Sequence, residues 1–209
     1  MPRRANVLAM TVQLLGTVTS PYVRRVRAVA HALSLPVDLV DTFTDEGQAR
    51  LRAMHPLWKV PAAKVAGQVV YDSRVIVDLL VRQHGGEVLS PIEPTDVETL
   101  NVLTVIDGAL DALINVFYLT RDGVAAADGT YVAKQVDRAA AAMTWLEARV
   151  DDVWVSPHRR FGIPEIALCT AMGWMAFRDT YEIADHPALM RCFEKHDAVD
   201  CLARTRPPK

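Results

Sequence analysis

The feature that most restricts what this chain can fold into is a change of grain between its two halves. Up to about residue 83, short apolar runs alternate with helical patterns; from Thr95 onward strands disappear. Val12–Leu15 reads as a strand. Ser20 then stands as an N-cap with Pro21 at the first helical position, and apolar residues recur at Val23, Val26, Ala30 and Leu33, predicting a helix from Pro21 to about Leu33. "LPVDLVDTF" predicts a second strand after a Leu35-Pro36 turn, and a short polar helix follows around Glu46–Met54. "PAAKVAGQVVYDS" reads as a hairpin, Ala62–Val65 and Gln68–Tyr71 about a turn at Ala66-Gly67, after which Ser73 caps the helix "RVIVDLLVRQ". The order β-α-β-α-β-β-α asks for one right-handed parallel crossover and an antiparallel hairpin at the sheet edge.

That order is the thioredoxin-like arrangement. "HGGEVLSPIEPTD", with Gly85, Gly86, Pro91 and Pro94, suits an interdomain linker. Helical patterns then run over roughly Asp96–Thr120, Thr130–Val150, Ile163–Arg178 and Pro187–His196. The expected architecture is an α/β thioredoxin-like N-terminal domain over residues 10–84, a linker over 85–95, and an all-α C-terminal domain over 96–209.

Composition narrows the partners. With 23 basic against 25 acidic residues and a net charge of −2, nothing points to a nucleic-acid or membrane partner, and Arg24, Arg25 and Arg27 read as a solvated helix face. Cys169, Cys192 and Cys201 are odd in number and lack metal-ligand spacing, which argues against a disulfide framework or a metal site and for free thiols in a reducing cytoplasm. The apolar run Ile166 to Phe177 is shorter than the ~20 residues of a spanning helix. No small-residue cleavage site follows the apolar part of "MPRRANVLAMTVQLLG", so it reads as a short leader, with Met10 an alternative start.

Three segments carry chemistry. Ser20, preceded by Thr17 and Thr19, sits where unpaired N–H groups and the positive end of a helix dipole favour a thiolate. In "KVPA", Lys59–Ala62, a proline enters an edge strand, and a cis Val60–Pro61 bond would offer the Val60 N–H and C=O to an extended peptide. In "YDSRV", Asp72 can meet an ammonium group, while Ser73 and the helix amides can take a carboxylate. Together they complement a ligand with a thiol, a peptide-like middle and an amino-acid head. Each has a plain alternative: a cap, a strand terminator, a capped helix start.

"Ser-Pro-Tyr-Val" looks like a glutaredoxin Cys-Pro-Tyr-Cys without its sulfurs, and "TSPYVRRVRAVAHALSLP", "HPLWKVPA" and "YDSRVIVDLL" followed by an all-α half resemble the cytosolic glutathione transferases. "ARTRPP" with "GWMAFR" is similar to a bacterial YibF-like subgroup. The resemblance implies a homodimeric, cytoplasmic, serine-type glutathione transferase using glutathione as co-substrate and no metal. It implies that the Ser20 hydroxyl stabilises the glutathione thiolate, Val60 pairs with the cysteinyl part, Pro61 is the cis proline, Asp72 and Ser73 hold the γ-glutamyl end, and Lys59 reaches the glycine carboxylate. A small apolar electrophile is expected between the domains. Three departures stand out: Trp58 where a small residue such as glycine is usual, His55 in place of the asparagine of "NP", and Asp72 where many members have Glu.

A thiol of pKa ~8.5 is only about 3% ionised at pH 7, and lowering it to about 6.5 takes ~2.7 kcal/mol. A hydrogen bond to a charged group, roughly 1.5–3 kcal/mol, plus a helix N-terminus at ~0.3–1 kcal/mol, matches that requirement without a general base. Thr17, immediately after the strand, is the competing hydroxyl. In the helical half the apolar stripe reads Leu100, Leu103, Leu110, Ile114 and Phe117, with Asp107 on it and Asp111 one turn on. The resemblance lets Asp107 assist the γ-glutamyl ammonium; a salt bridge to an arginine is the alternative. Tyr22, Tyr118 and Arg121 are candidates for the electrophile side, and Trp145, Trp154 and Trp174 read as core or interface. Gly162 and Glu165 occupy the ends of a capping box whose hydroxyl is missing, with Phe161 and Ile166 as a staple. Two other functions fit the same scaffold: a non-catalytic glutathione-binding or protein-interaction module, and a glutathione-dependent isomerase, dehalogenase or peroxidase.

Overall fold

A computed structural model describes residues 11–208 except 126 and 128; the leader and Met10 lie outside the described residues. The chain divides into one unit up to Pro91, joined by the last residues of the chain, and a second over Ile92–Arg206.

The first unit runs β1 (Val12–Gly16), α1 (Pro21–Ala32), β2 (Val37–Asp41), α2 (Asp45–Met54), β3 (Ala62–Val65), β4 (Gln68–Val70) and α3 (Ser73–His84). Its sheet has the order β2-β1-β3-β4. β1 pairs parallel with β2 from Val12↔Val37 to Gly16↔Asp41. β3 runs antiparallel to β1, Leu15 facing Ala62, and β4 antiparallel to β3, Val70 facing Ala63. This is the thioredoxin-like sheet. Val12, Leu14 and Leu15 of β1, Val23, Val26 and Val29 of α1, and Ile76, Val77 and Leu80 of α3 are buried, and α1 packs on α3 and β1.

Three expectations need correction here. β3 is an inner strand, so Pro61 is tolerated because it precedes the first paired residue, Ala62, and its missing N–H costs no ladder bond. Asp72, not Ser73, caps α3: its Oδ1 accepts from the Arg74 amide at 2.9 Å, and Ser73 is a buried first residue of the helix. Arg24 and Arg25 are not a solvated face; they are 3% and 2% exposed. Periodicity marks one apolar face of α1, but Ala28 and Val29 are buried as well, so the helix is covered on more than one side.

The second unit is helical: α4 (Val97–Arg121), α5 (Tyr131–Glu147), α6 (Ile163–Arg178), a 3-10 turn at Ile183–Asp185, α7 (Pro187–Asp197) and the unforeseen α8 (Asp200–Ala203). α4 is long and apolar enough to cross a membrane by length and composition, and it packs against α5 and α6 within this unit. Its buried stripe is Val102, Leu103, Ile106, Ala109, Leu110 and Leu113, shifted from the expected one, which leaves Leu100, Ile114 and Phe117 half-buried. The long apolar helix serves two neighbours, so no single periodic stripe describes it.

α6 is buried from Ile163 to Met172 without interruption. Glu165 keeps the acidic half of the expected capping box, its carboxyl meeting the Gly162 amide as well as those of Ser156 and Val155. Its Oε1 accepts from the Ser156 amide, nine residues back, at 2.9 Å, and Gly162 makes no side-chain cap bond. Phe161 packs its ring on His196, centroids 5.7 Å apart. The closing "ARTRPP" is a lock: Arg204 pairs with Asp200 at 2.7 Å, Thr205 Oγ1 bonds the Cys201 carbonyl, and Arg206 pairs with Asp197 at 2.6 Å.

Candidate functional site

The strand register gathers the three segments of the first unit. β1 ends beside the start of β3, and β3 starts beside the end of β4. The helix start at Ser20, the Val60–Pro61 dipeptide and the Asp72-Ser73 pair therefore lie at one end of the sheet. Gly16 makes the first junction possible, since a Cβ there would collide with Val23 of α1.

Ser20 is the N-cap of α1. Its amide donates to the Thr17 carbonyl at 3.2 Å, and its Oγ accepts from the Val23 amide at 3.3 Å. A hydroxyl has one donor and two acceptor lone pairs, so the cap leaves the O–H proton able to donate elsewhere. Thr17 and Thr19, both half-buried, set their hydroxyl oxygens 3.4 Å apart. Tyr22 is half-buried beside the cap residue, with the Arg25 guanidinium 5.5 Å from its ring centroid.

The Val60–Pro61 bond is cis, and so is Tyr71–Asp72. Pro61 is buried, Val60 half-buried and Lys59 exposed. Asp72 is exposed and spends one of its two oxygens on the cap of α3, whose first amides are those of Ser73 and Arg74. The residue before Lys59 explains its own oddity: Trp58 has φ +55°, the left-handed region in which glycine is unstrained. Trp58 is 59% exposed, with the Arg52 guanidinium 4.7 Å from its ring centroid. Relief of the backbone cost, ~1 kcal/mol, and loss of that stack, ~0.5–1 kcal/mol, oppose each other. Trp58→Gly is expected to leave unfolding stability within about 1 kcal/mol, read from denaturant midpoints.

The remaining candidates belong to α4. Asp107 is half-buried at the flank of the buried stripe, and Asp111 is exposed, its carbonyl accepting from Asn115 Nδ2 at 2.8 Å. Arg121 lies over the Tyr118 ring at 4.8 Å and pairs with Asp122 at 3.0 Å, and Tyr118 is 49% exposed. Cys169, Cys192 and Cys201 are buried and not joined in disulfides. Burial, with a smaller push from Glu165, raises Cys192 to about 12, so it is a thiol at neutral pH and no nucleophile. Among the described residues no group of three or more His, Cys, Asp or Glu could hold a metal ion.

Residues 14–88 match the family model of the glutathione S-transferase N-terminal domain. The likeness extends over both units in solved structures. A glutathione S-transferase from Methylobacterium radiotolerans, in complex with glutathione sulfonate, is 25% identical with a TM-score of 0.81, covering 95% of this chain and 96% of that one. One from Methylobacillus flagellatus, with GSH bound, is 25% identical with a TM-score of 0.81, covering 94% of this chain and 100% of that one. A glutathione transferase family member from Pseudomonas fluorescens, with bound glutathione, is 29% identical with a TM-score of 0.80, covering 95% and 100%. No curated protein matches the sequence.

Within the first unit, His55 reads in the sequence only as a departure from asparagine. It is 3% exposed, and its Nδ1 accepts from the Leu57 amide at 3.0 Å. Its ring stacks on Tyr71, centroids 4.1 Å apart at 26°. The available signal was topological: histidine Nδ1 and asparagine Oδ1 stand the same number of bonds from Cα, so either can accept the amide two residues on.

Proposed function

We propose that the chain is a glutathione transferase of the serine type, similar to the bacterial YibF-like subgroup, acting as a cytoplasmic homodimer on small apolar electrophiles. The observation that carries this reading is the convergence of the Ser20 helix start, Val60–Pro61 and Asp72-Ser73 at one end of the sheet of a transferase domain. Ser20 Oγ–H donates to the glutathione sulfur and holds it as thiolate. The Val60 backbone pairs with the cysteinyl unit beside cis Pro61, Lys59 meets the glycine carboxylate, and Asp72 and Ser73 take the γ-glutamyl ammonium and carboxylate. The thiolate lone pair forms a C–S bond to the electrophilic carbon. A halide then leaves with its bonding electrons, or an opened epoxide oxygen takes up a proton. The glutathione bound in the Methylobacillus flagellatus and Pseudomonas fluorescens proteins supports the choice of thiol.

The expected result is saturable heat in a glutathione titration, together with conjugation of at least one aryl halide, epoxide or isothiocyanate. Peroxide turnover alone would assign the reductive alternative. A second reading, a glutathione-binding interaction module, is favoured by the exposed Phe43, Leu57 and Trp58 of the same unit; binding with no turnover across the panel would select it. Absence of glutathione binding overturns both.

A further inference from the structure

His55 is buried and touches the chain leading into both the Lys59–Pro61 and the Asp72-Ser73 segments. Its own amide donates to the Leu51 carbonyl at the end of α2, its carbonyl accepts from the Trp58 amide, and its Nδ1 accepts from the Leu57 amide. These three bonds fix the turn that delivers Lys59, Val60 and Pro61. The other side of the ring stacks on Tyr71, the residue directly before Asp72 and Ser73. We infer that His55 is a positioning residue that aligns the Lys59–Pro61 segment with the Asp72-Ser73 segment, and that a proton on Nδ1 releases this alignment and weakens glutathione binding. The inference rests on the glutathione reading of the site.

The chemistry is one-directional. The Leu57 N–H donates, so Nδ1 must keep its lone pair and the neutral ring carries its proton on Nε2. Protonation turns Nδ1 into a donor facing a donor. Burial disfavours the cation and holds the imidazole below its ordinary 6.5; the Asp72 carboxylate opposes this and Lys59 adds to it. Arg52, on the preceding helix, is turned onto Trp58. Tyr71 is the aromatic neighbour across the stack. Glutathione itself does not change charge between its carboxylates, near 3.5, and its thiol, near 8.5, so a change of affinity in the window between belongs to the protein.

The test is calorimetric titration of the full-length protein with glutathione at pH 7.5 and pH 5.0, for wild type, His55→Asn and His55→Ala. Wild type is expected to bind at least threefold more weakly at the lower pH. His55→Asn keeps an acceptor for the Leu57 amide that does not titrate in this range, and it is expected to bind equally at both. His55→Ala is expected to bind more weakly than wild type at pH 7.5. Equal wild-type affinity at both pH values, or a parallel loss in His55→Asn, overturns the inference while leaving the glutathione reading intact. No binding by wild type at pH 7.5 overturns the glutathione reading and this inference with it. If His55→Ala does not fold, the wild-type and His55→Asn series decides the matter.

Discussion

Ser20→Ala is expected to lower kcat/KM for conjugation by about 10- to 30-fold at neutral pH, with glutathione affinity changed far less. The upper limit follows from protonation: a free thiol is about 3% ionised at pH 7, so complete ionisation gains about thirtyfold. On the proposed role, the hydroxyl's share is one hydrogen bond to a charged sulfur, roughly 1.5–3 kcal/mol, while the helix N-terminus remains in the variant. The defect should shrink as pH rises past the thiol's own ~8.5, where the hydroxyl is no longer needed to make thiolate. Ser20 also caps α1 through the Val23 amide, so a stability loss must be separated from a chemical one. Alanine at an N-cap costs ~1 kcal/mol and glycine only a few tenths. Ser20→Gly should therefore match Ser20→Ala in rate while melting closer to wild type. An unchanged rate in a folded Ser20→Ala protein would transfer the role to Thr17, whose replacement would then show the loss.

The second large effect is on stability. Glu165 is 0% exposed, and burial raises its carboxyl from 4.5 to about 7 against the pull of the backbone amides around it, Ser156 first and then its own, Gly162 and Val155. The folded state therefore holds this proton after the unfolded state has released it. The contribution is fully present below pH 4.5 and is lost as pH rises from there to about 7. That span is worth about 3 kcal/mol, at ~1.4 kcal/mol per pH unit. Glu165→Gln mimics the protonated acid and does not titrate. Wild type and variant should be of similar stability at pH 4.5, and the variant should be the more stable at pH 8, by on the order of 10 °C in Tm. Parallel melting profiles of the two proteins across this range would show that the carboxyl is ionised throughout.

Much of the thioredoxin-like unit was legible because its signals are local. Helix α1 is written in Ser20, Pro21 and a one-face periodicity, and the hairpin in Ala66-Gly67 between two short apolar runs, where the observed φ values are +49° and +86°. The end of β4 and the cap of α3 were each misread by one residue, because Asp and Ser are both good caps and only the backbone decides between them. In the helical half, Ile163–Arg178 was read to the residue from Pro164 and an unbroken apolar run. α8 was missed because four residues carry no periodicity.

By itself the sequence determined the order of strands and long helices and most of the caps that start them, because caps, turns and amphipathic faces depend on residues a few positions apart. Only the tertiary structure decided that the segments at Ser20, Val60–Pro61 and Asp72-Ser73 lie together. The antiparallel register of β3 against β1 and β4 brings residues 20, 60 and 72 to one end of the sheet. Packing buries Arg24 and Arg25 on a helix that reads as half polar, and folding seats His55 between Leu57 and Tyr71. Contacts between residues far apart in the chain are set by how whole elements pack, and no local pattern encodes them.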